Sequence, residues 1–298
     1  MSYLNPFMSS YASLNRAVVI TRGLFAGGHD GSYQNVIDYV TIATTGNATD
    51  FGDLTAARNG LSGNQDNGTR ACFAGGSTGA DSNIVDYVTV ATVGNATDFG
   101  DLTETRSDII GGCSSDTRGL TICGHTSGNV NTVDYITIAT TGNSTDFGDA
   151  SASKRNCAGL GGVTRGVIFG GFEAANINVI EYFTIASAGN ATDFGDLVLG
   201  TDNSMNGCQS TTRGIMFGTG VNIQYITIDT TGNSTDFGDL LTSMSGHACA
   251  SSETRGLSGG GAGPLNVIEY VTIASAGNAT DFGDLTVARA GIAGGQGG

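Results

Sequence analysis

Apolar residues along this chain come in short runs, and no useful stretch carries the 3.6-residue spacing of a helix. Runs rich in Val, Ile, Tyr and Phe are separated by Gly, Asn and Asp, the pattern of short strands joined by tight reversals. The stretch from Arg58 to Leu102 divides into RNGLSG, TRACFAGG, NIVDYVTVAT and TDFGDL, with NQDNG, STGADS and VGNA between them, which predicts four strands and three turns. The runs Ile84-Val85 and Val88 to Ala91 leave no polar side for solvent, so the sheet they build is expected to be covered on both faces.

The pattern repeats. The dipeptide Thr-Arg begins at Thr21, Thr69, Thr117, Thr164, Thr212 and Thr254, with spacings of 48, 48, 47, 48 and 42. The string NATDFGD, or NSTDFGD, starts at Asn47, Asn95, Asn143, Asn190, Asn233 and Asn278. A period of this length built from strands predicts an all-β, six-bladed β-propeller with four antiparallel strands per blade. The propeller is expected over residues 21–298, with units starting near 21, 69, 117, 164, 212 and 254, after an N-terminal extension over residues 1–20. Residues 289–298, RAGIAGGQGG, match an innermost strand without a blade of its own, while the first unit begins at its second strand. The C-terminal strand is therefore expected to join the N-terminal blade and close the ring, which removes free sheet edges. Arg16 to Ile20 is the alternative donor of that strand.

Composition narrows the class. With 49 Gly, 2 Pro, no Trp and 13% charged residues, the chain is neither a collagen nor a disordered polyelectrolyte. The formal charge of −15 is largely periodic, since the six TDFGD strings supply 12 of the 27 acidic residues, and it argues against nucleic acid as a partner. Residues 1–20 lack a basic start and hold no apolar run longer than Ala17 to Ile20, so neither a signal peptide nor membrane insertion is expected. The six cysteines form no C-x-x-C pair and have no His at metal-ligand spacing; they are expected to be small buried residues of a protein made in a reducing cytoplasm.

NATDFGD contains a glycosylation acceptor and the Asp-Phe-Gly triplet of kinases, and six copies speak against both as sites. A structural role accounts for every residue, with Gly46-Asn47 at a hairpin tip, Thr49 and Asp50 bonding nearby amides, and Phe51 filling the space between blades. The same packing role is expected of Phe99, Phe147, Phe194, Phe237 and Phe282. Calcium at Asp50 and Asp53 is disfavoured because two acids supply too few oxygens. Arg22, Arg70, Arg118, Arg165, Arg213 and Arg255 are half of the twelve basic residues. They are expected to pair within their blades with the TDFGD acids or with Asp38, Asp86, Asp134, Glu181 and Glu269, rather than to line an anion-binding channel; Gln224 breaks the acid pattern in the fifth unit.

Catalysis needs groups in distinct surroundings, and the non-repeated candidates, His29, His125, His247, Asp108 and Glu173, carry no nucleophile elbow, paired-carboxylate signal or metal motif. No enzyme activity and no cofactor are expected. The loops after Gly-Gly differ between units, so recognition is expected there, on His29, Asp30, Tyr33, Asp81, His125, Asn129, Phe172 and Glu173. Drift in exposed turns would produce the same variation. These loops should all emerge on one face, with the NATDFG hairpins on the other.

The order Arg58, Gly75-Gly76, Tyr87, Phe99, Leu102, Arg106 resembles the kelch motif, in which an Arg opens the innermost strand, Gly-Gly closes the second, and a Tyr and a Trp follow. Here Phe stands in place of Trp, and the Arg is replaced by Lys154, Thr201 or Met244 in three units. The phrase DYVTIATTGNATDFGDLT resembles kelch-like repeat proteins encoded by marine bacteriophages, among tail-fibre-like and other virion proteins. The resemblance implies a non-catalytic virion component, made in the host cytoplasm, such as a fibre, knob or surface decoration for host attachment. Implied partners are other virion proteins, through residues 1–15 with Tyr3, Phe7, Met8 and Tyr11 or through the propeller faces, and a host-surface glycan or protein. A lectin-like module and a polysaccharide hydrolase are the alternatives.

Overall fold

The computed structural model describes residues 22–200 and 203–297. The 1–20 extension, its docking segment 1–15 and Thr201 lie outside the described residues. The described chain forms six four-stranded antiparallel sheets, each a blade of one β-propeller. Blade two shows the unit: an inner strand Ser62–Asp66, then Arg70–Ala74, Ser82–Thr89 and an outer strand Thr97–Arg106. The inner strands of all six blades contact one another in a closed ring.

Closure comes from the C-terminal end. Ala293–Gly297 pairs antiparallel with Arg22–Ala26, setting Gly297 opposite Arg22 and Ala293 opposite Ala26. Val36–Thr41 holds the other edge of Arg22–Ala26, so no edge is left for Arg16 to Ile20 to fill. Each second strand starts on one face of the disc and ends on the other. The Gly-Gly loops therefore share one face, here the loop face. The inner hairpins and the TTGNA-type hairpins share the opposite, hairpin face.

Every sheet is buried on both sides, as the continuous apolar runs require. One apolar cluster fills each of the six interfaces: between blades one and two, Leu24, Ile37 and Phe51 meet Phe73, Val88 and Val90. Phe51 reaches that interface through a β-bulge, because Ile37 pairs with Gly52 and Asp38 with Asp50, leaving Phe51 as the extra residue. The same shift occurs at Phe99, Phe147, Phe194, Phe237 and Phe282, and all six rings are at most 3% exposed. A bulge bends its strand and re-aims a side chain, and here it turns the ring into the neighbouring blade.

The rest of the repeated string forms a lock between blades. Gly94 and Ala96 of blade two donate their amides to the carbonyls of Phe51 and Asp53 of blade one, while Asn95 Oδ1 accepts the Asp53 amide at 3.1 Å. Equivalent bonds run round the ring to the last, where Asn47 Oδ1 accepts the Asp284 amide at 3.1 Å. The glycine of each DFG is required by this approach: a Cβ on Gly52 would lie 2.6 Å from the Gly94 carbonyl, and the five equivalents are as tight. Its φ of 143° is also one that other residues rarely adopt. The amide bonding expected of Thr49 and Asp50 is thus performed by Asn47 and its equivalents. Thr49 and Asp50 are both exposed.

The axis is occupied by chain. A Cβ on Gly63 would meet the Gly294 carbonyl at 2.1 Å, and one on Gly112 would meet Gly63 at 1.8 Å, so only glycine lets these inner strands approach. Asn64 spans the centre, its Nδ2 donating to Gly207 O at 3.1 Å and to Asn206 Oδ1 at 3.3 Å on the opposite side.

Candidate functional site

Two sets of arginines, similar in the sequence, have opposite uses. Arg22, Arg70, Arg118, Arg165, Arg213 and Arg255 do not take the carboxylates of their blades, as the sequence led us to expect. Each lies over the strand Tyr of its own blade, 4.3–4.8 Å from the ring centroid, and donates to a carbonyl of the next blade at 2.7–3.2 Å. The Tyr in turn meets the bulge Phe edge-to-face at 5.8–6.1 Å. The start of each second strand places the guanidinium beside that ring, and cation–π attraction favours it there over a solvated carboxylate.

The strand acids are taken by the other set. Arg58, Arg106, Lys154 and Arg289 form buried ion pairs with Asp86, Asp134, Glu181 and Asp38. These cations do not open the inner strand: Arg106 is the last residue of the outer strand of blade two, and it reaches Asp134 in blade three at 2.6 Å. Asp134 also accepts the hydroxyl and amide of Thr103 at 2.7 and 3.2 Å, so the acid clamps the chain leaving the preceding blade. Burial pushes the guanidinium pKa of Arg58 and of Arg289 down, and the facing carboxylates act against that shift.

With the repeated chemistry engaged in holding blade to blade, the exposed non-repeated side chains lie mainly in two places. On the loop face, His29 and Tyr33 pack edge-to-face at 5.5 Å, and Tyr33 Oη lies 3.4 Å from Ser77 Oγ of the next loop. Asp30 accepts from the Ser32 amide and from Gln34 Nε2 at 3.1 and 2.7 Å, and these bonds hold its carboxyl below the usual range. Asp81 pairs with Ser77 within its loop, and His125 exchanges backbone bonds with Ser107. Asn129 Nδ2 donates to the carbonyls of Phe172 and Glu173 at 2.9 and 3.1 Å, and Arg155 lies 5.1 Å from the Phe172 ring centroid. The predicted residues thus form two groups, His29, Asp30 and Tyr33 beside Ser77, and Asn129 with Phe172 and Glu173, on neighbouring arcs of one face. They offer stacking and hydrogen-bonding surface. His247 is elsewhere: it is buried against Phe217, and burial lowers its pKa to about 4.

The second place was not anticipated. On the hairpin face the inner hairpins surround a cavity of about 130 Å³ on the axis, lined by Asp66, Asp116, Gln209, Thr211, Glu253 and Gln296 among others. Asp66 is 8% exposed; its amide donates to Ser114 Oγ at 3.2 Å, and its Oδ2 has no donor among the described residues. Burial first, and then the charge of Asp116, raises its pKa to about 8, against a smaller opposing pull from the Gln296 backbone. Gln209 Oε1 is a second buried acceptor without a donor among the described residues. Glu253 accepts both the amide and the hydroxyl of Thr211 at 3.1 Å. A signal for this site was present in the sequence, since the residues before the second to sixth Thr-Arg pairs read QDNG, SSD, GGV, QST and SSE and vary as freely as the Gly-Gly loops.

All six cysteines are buried free thiols, and burial pushes that of Cys208 up to about 12. Among the described residues, no group of three or more His, Cys, Asp or Glu side chains is arranged to hold a metal ion, and no helix is long and apolar enough to cross a membrane. No protein-family model matches the chain, and no curated protein matches it.

Two of the perturbed buried groups, Asp66 and His247, predict a pH dependence of stability. Asp66 is raised in the fold, so the stability it contributes is present below about pH 4 and is lost as pH rises through about 8. His247 is lowered in the fold, so it contributes stability above about pH 6.5 that is lost as pH falls through about 4. The two trends oppose each other between about pH 4 and 6.5, and of these two groups only Asp66 acts from about pH 6.5 to 8. Over that upper window the unfolding free energy is expected to fall by up to about 1.4 kcal/mol per pH unit, lowering Tm, and Asp66→Asn should flatten the trend. Thermal melts at half-unit pH steps would check this, and an equal slope in the variant would exclude Asp66 as the cause.

Proposed function

We propose that the protein is a non-catalytic interaction component of a virion, a kelch-like propeller that presents its loop face to a host-surface or virion partner. One observation carries the binding part: polar side chains common to the units hold one blade on the next, whereas most exposed ones differing between units gather on the loop face and at the axial mouth. A rigid disc with unlike loops at one end suits recognition, because the scaffold keeps each loop in place at low entropic cost on binding. The virion setting rests on the likeness of DYVTIATTGNATDFGDLT to bacteriophage repeat proteins.

A glycan is the second candidate partner. Tyr33 is 38% exposed beside His29, with Asp30 and Gln34 in the same loop, so an apolar ring face lies next to hydrogen-bonding groups. Labelled protein is expected to bind marine bacterial cells, or immobilised glycans, saturably. The Tyr33→Ala/Phe172→Ala variant should bind at least tenfold more weakly at unchanged Tm. Equal binding by that variant would overturn the assignment of the loop face. Release of product from a polysaccharide would overturn the non-catalytic reading.

A further inference from the structure

We infer that the axial mouth on the hairpin face is a binding site for a primary ammonium group, carried by a small alkylamine or by a lysine side chain of a partner. The site is separate from the loop face, and the Asn64 bridge between them closes the axis.

The acceptors select the ligand. Asp66 and Gln209 both line the cavity, and Asp66 Oδ2 and Gln209 Oε1 are buried without a donor among the described residues. A buried acceptor without a donor is costly, which makes this pair a place where a donor-rich group gains most. An ammonium carries three donors and no acceptor. The rim adds negative charge from Asp116 and Glu253, both exposed, and among the described residues no basic side chain lines the cavity. The nearest repeated cations, the arginines of the Thr-Arg pairs, are held against their tyrosines and carbonyls.

Size and charge exclude the rivals. A cavity of about 130 Å³ has room for an ammonium with a short alkyl stem, given that a water occupies roughly 30 Å³ of liquid. An anion would face Asp116 and Glu253. A metal ion would need a cluster of at least three ligating side chains, and none occurs among the described residues. Binding a cation beside Asp66 favours its ionised form, so the site should release a proton as it fills at neutral pH.

The test is a calorimetric and NMR titration of the full chain with n-butylammonium at pH 7.5, in two buffers of different ionisation enthalpy. Saturable binding with proton release is expected, at least tenfold weaker to Asp66→Asn and at least tenfold weaker for tetramethylammonium, which has the charge without the N–H donors. If Asp66→Asn does not fold, the rim variant Asp116→Asn/Glu253→Gln serves, with a loss of at least threefold expected. N-acetyl-lysine amide names the source: binding as tight as butylammonium marks a lysine of a partner, and rejection marks a free amine. Equal binding of tetramethylammonium, undiminished binding by the variants, or tighter binding of calcium would overturn the proposal. Tyr33→Ala/Phe172→Ala should bind butylammonium as the unmodified protein does, so failure at one face leaves the reading of the other untouched.

Discussion

Substituting Arg106 by methionine is expected to lower the unfolding free energy by about 3–5 kcal/mol, because it leaves the Asp134 carboxylate buried without its cation. Arg106 and Asp134 are both fully buried, and the guanidinium also donates to the carbonyls of Cys123 and Thr132 at 3.0 and 2.8 Å. Methionine is the informative replacement because the protein already uses it: Met244 ends the outer strand of blade five at the equivalent place and packs in the apolar cluster there. The acid equivalent to Asp134 at that interface, Glu269, is buried, with Oε1 lacking a donor among the described residues while Oε2 accepts the Leu241 amide at 2.7 Å. Blade five shows the neutral solution, in which Gln224 accepts the Val198 and Leu199 amides at 3.0 and 3.1 Å. Adding Asp134→Asn to Arg106→Met should therefore recover a substantial part of the loss. Met244→Lys should stabilise the native chain by recreating the Lys154–Glu181 arrangement. Urea denaturation at neutral pH measures all three, and a loss under about 1 kcal/mol for Arg106→Met would place the pair at the level of surface ion pairs.

Phe51→Ala is expected to cost a similar amount, about 3–5 kcal/mol, from the lost apolar contact and the cavity left behind. The ring is fully buried, meets Tyr39 edge-to-face at 5.8 Å and packs with Val88 and Val90 of the next blade. The bulge that aims it belongs to the backbone lock of Gly94 and Ala96 on Phe51 and Asp53, so a cavity here also loosens the interface that those bonds span. Against a total stability of about 5–15 kcal/mol for a domain, one such change leaves little margin. Phe51→Leu, which keeps most of the volume, should cost less than about 1.5 kcal/mol. Chemical denaturation monitored by tyrosine fluorescence would check both, and an alanine cost below about 0.5 kcal/mol would mean that Phe51 carries no packing.

Much of the architecture could be read directly from the chain. Strand composition and the 48-residue period lead to blades, since a sheet with two apolar faces can only be stacked on others. The unpaired strand at residues 289–298 led to ring closure. The sixfold return of NATDFGD demoted the kinase and glycosylation matches, and the structure gives the string its work as bulge, ring wedge and lock. The division of labour within the string was harder to see. Asn47 is a hydrogen-bond acceptor only because another blade brings the Asp284 amide to it, 237 residues away.

By itself, then, the sequence determined which residues form strands, which sides of them are buried and how many units there are, because those properties are periodic and local. It did not determine partners. Most units carry two kinds of cation and three acids, and nothing local says that Arg255 seeks the Ile42 carbonyl while Arg289 takes Asp38. Closing the ring decides this, by setting one cation beside an aromatic face and the other in a dry interface where only an opposite charge is tolerated. The axial mouth belongs to the tertiary structure for the same reason. Asp66 and Gln209 stand 143 positions apart in the chain. Their side chains line one cavity only because glycine-rich inner strands bring the blades together at the axis.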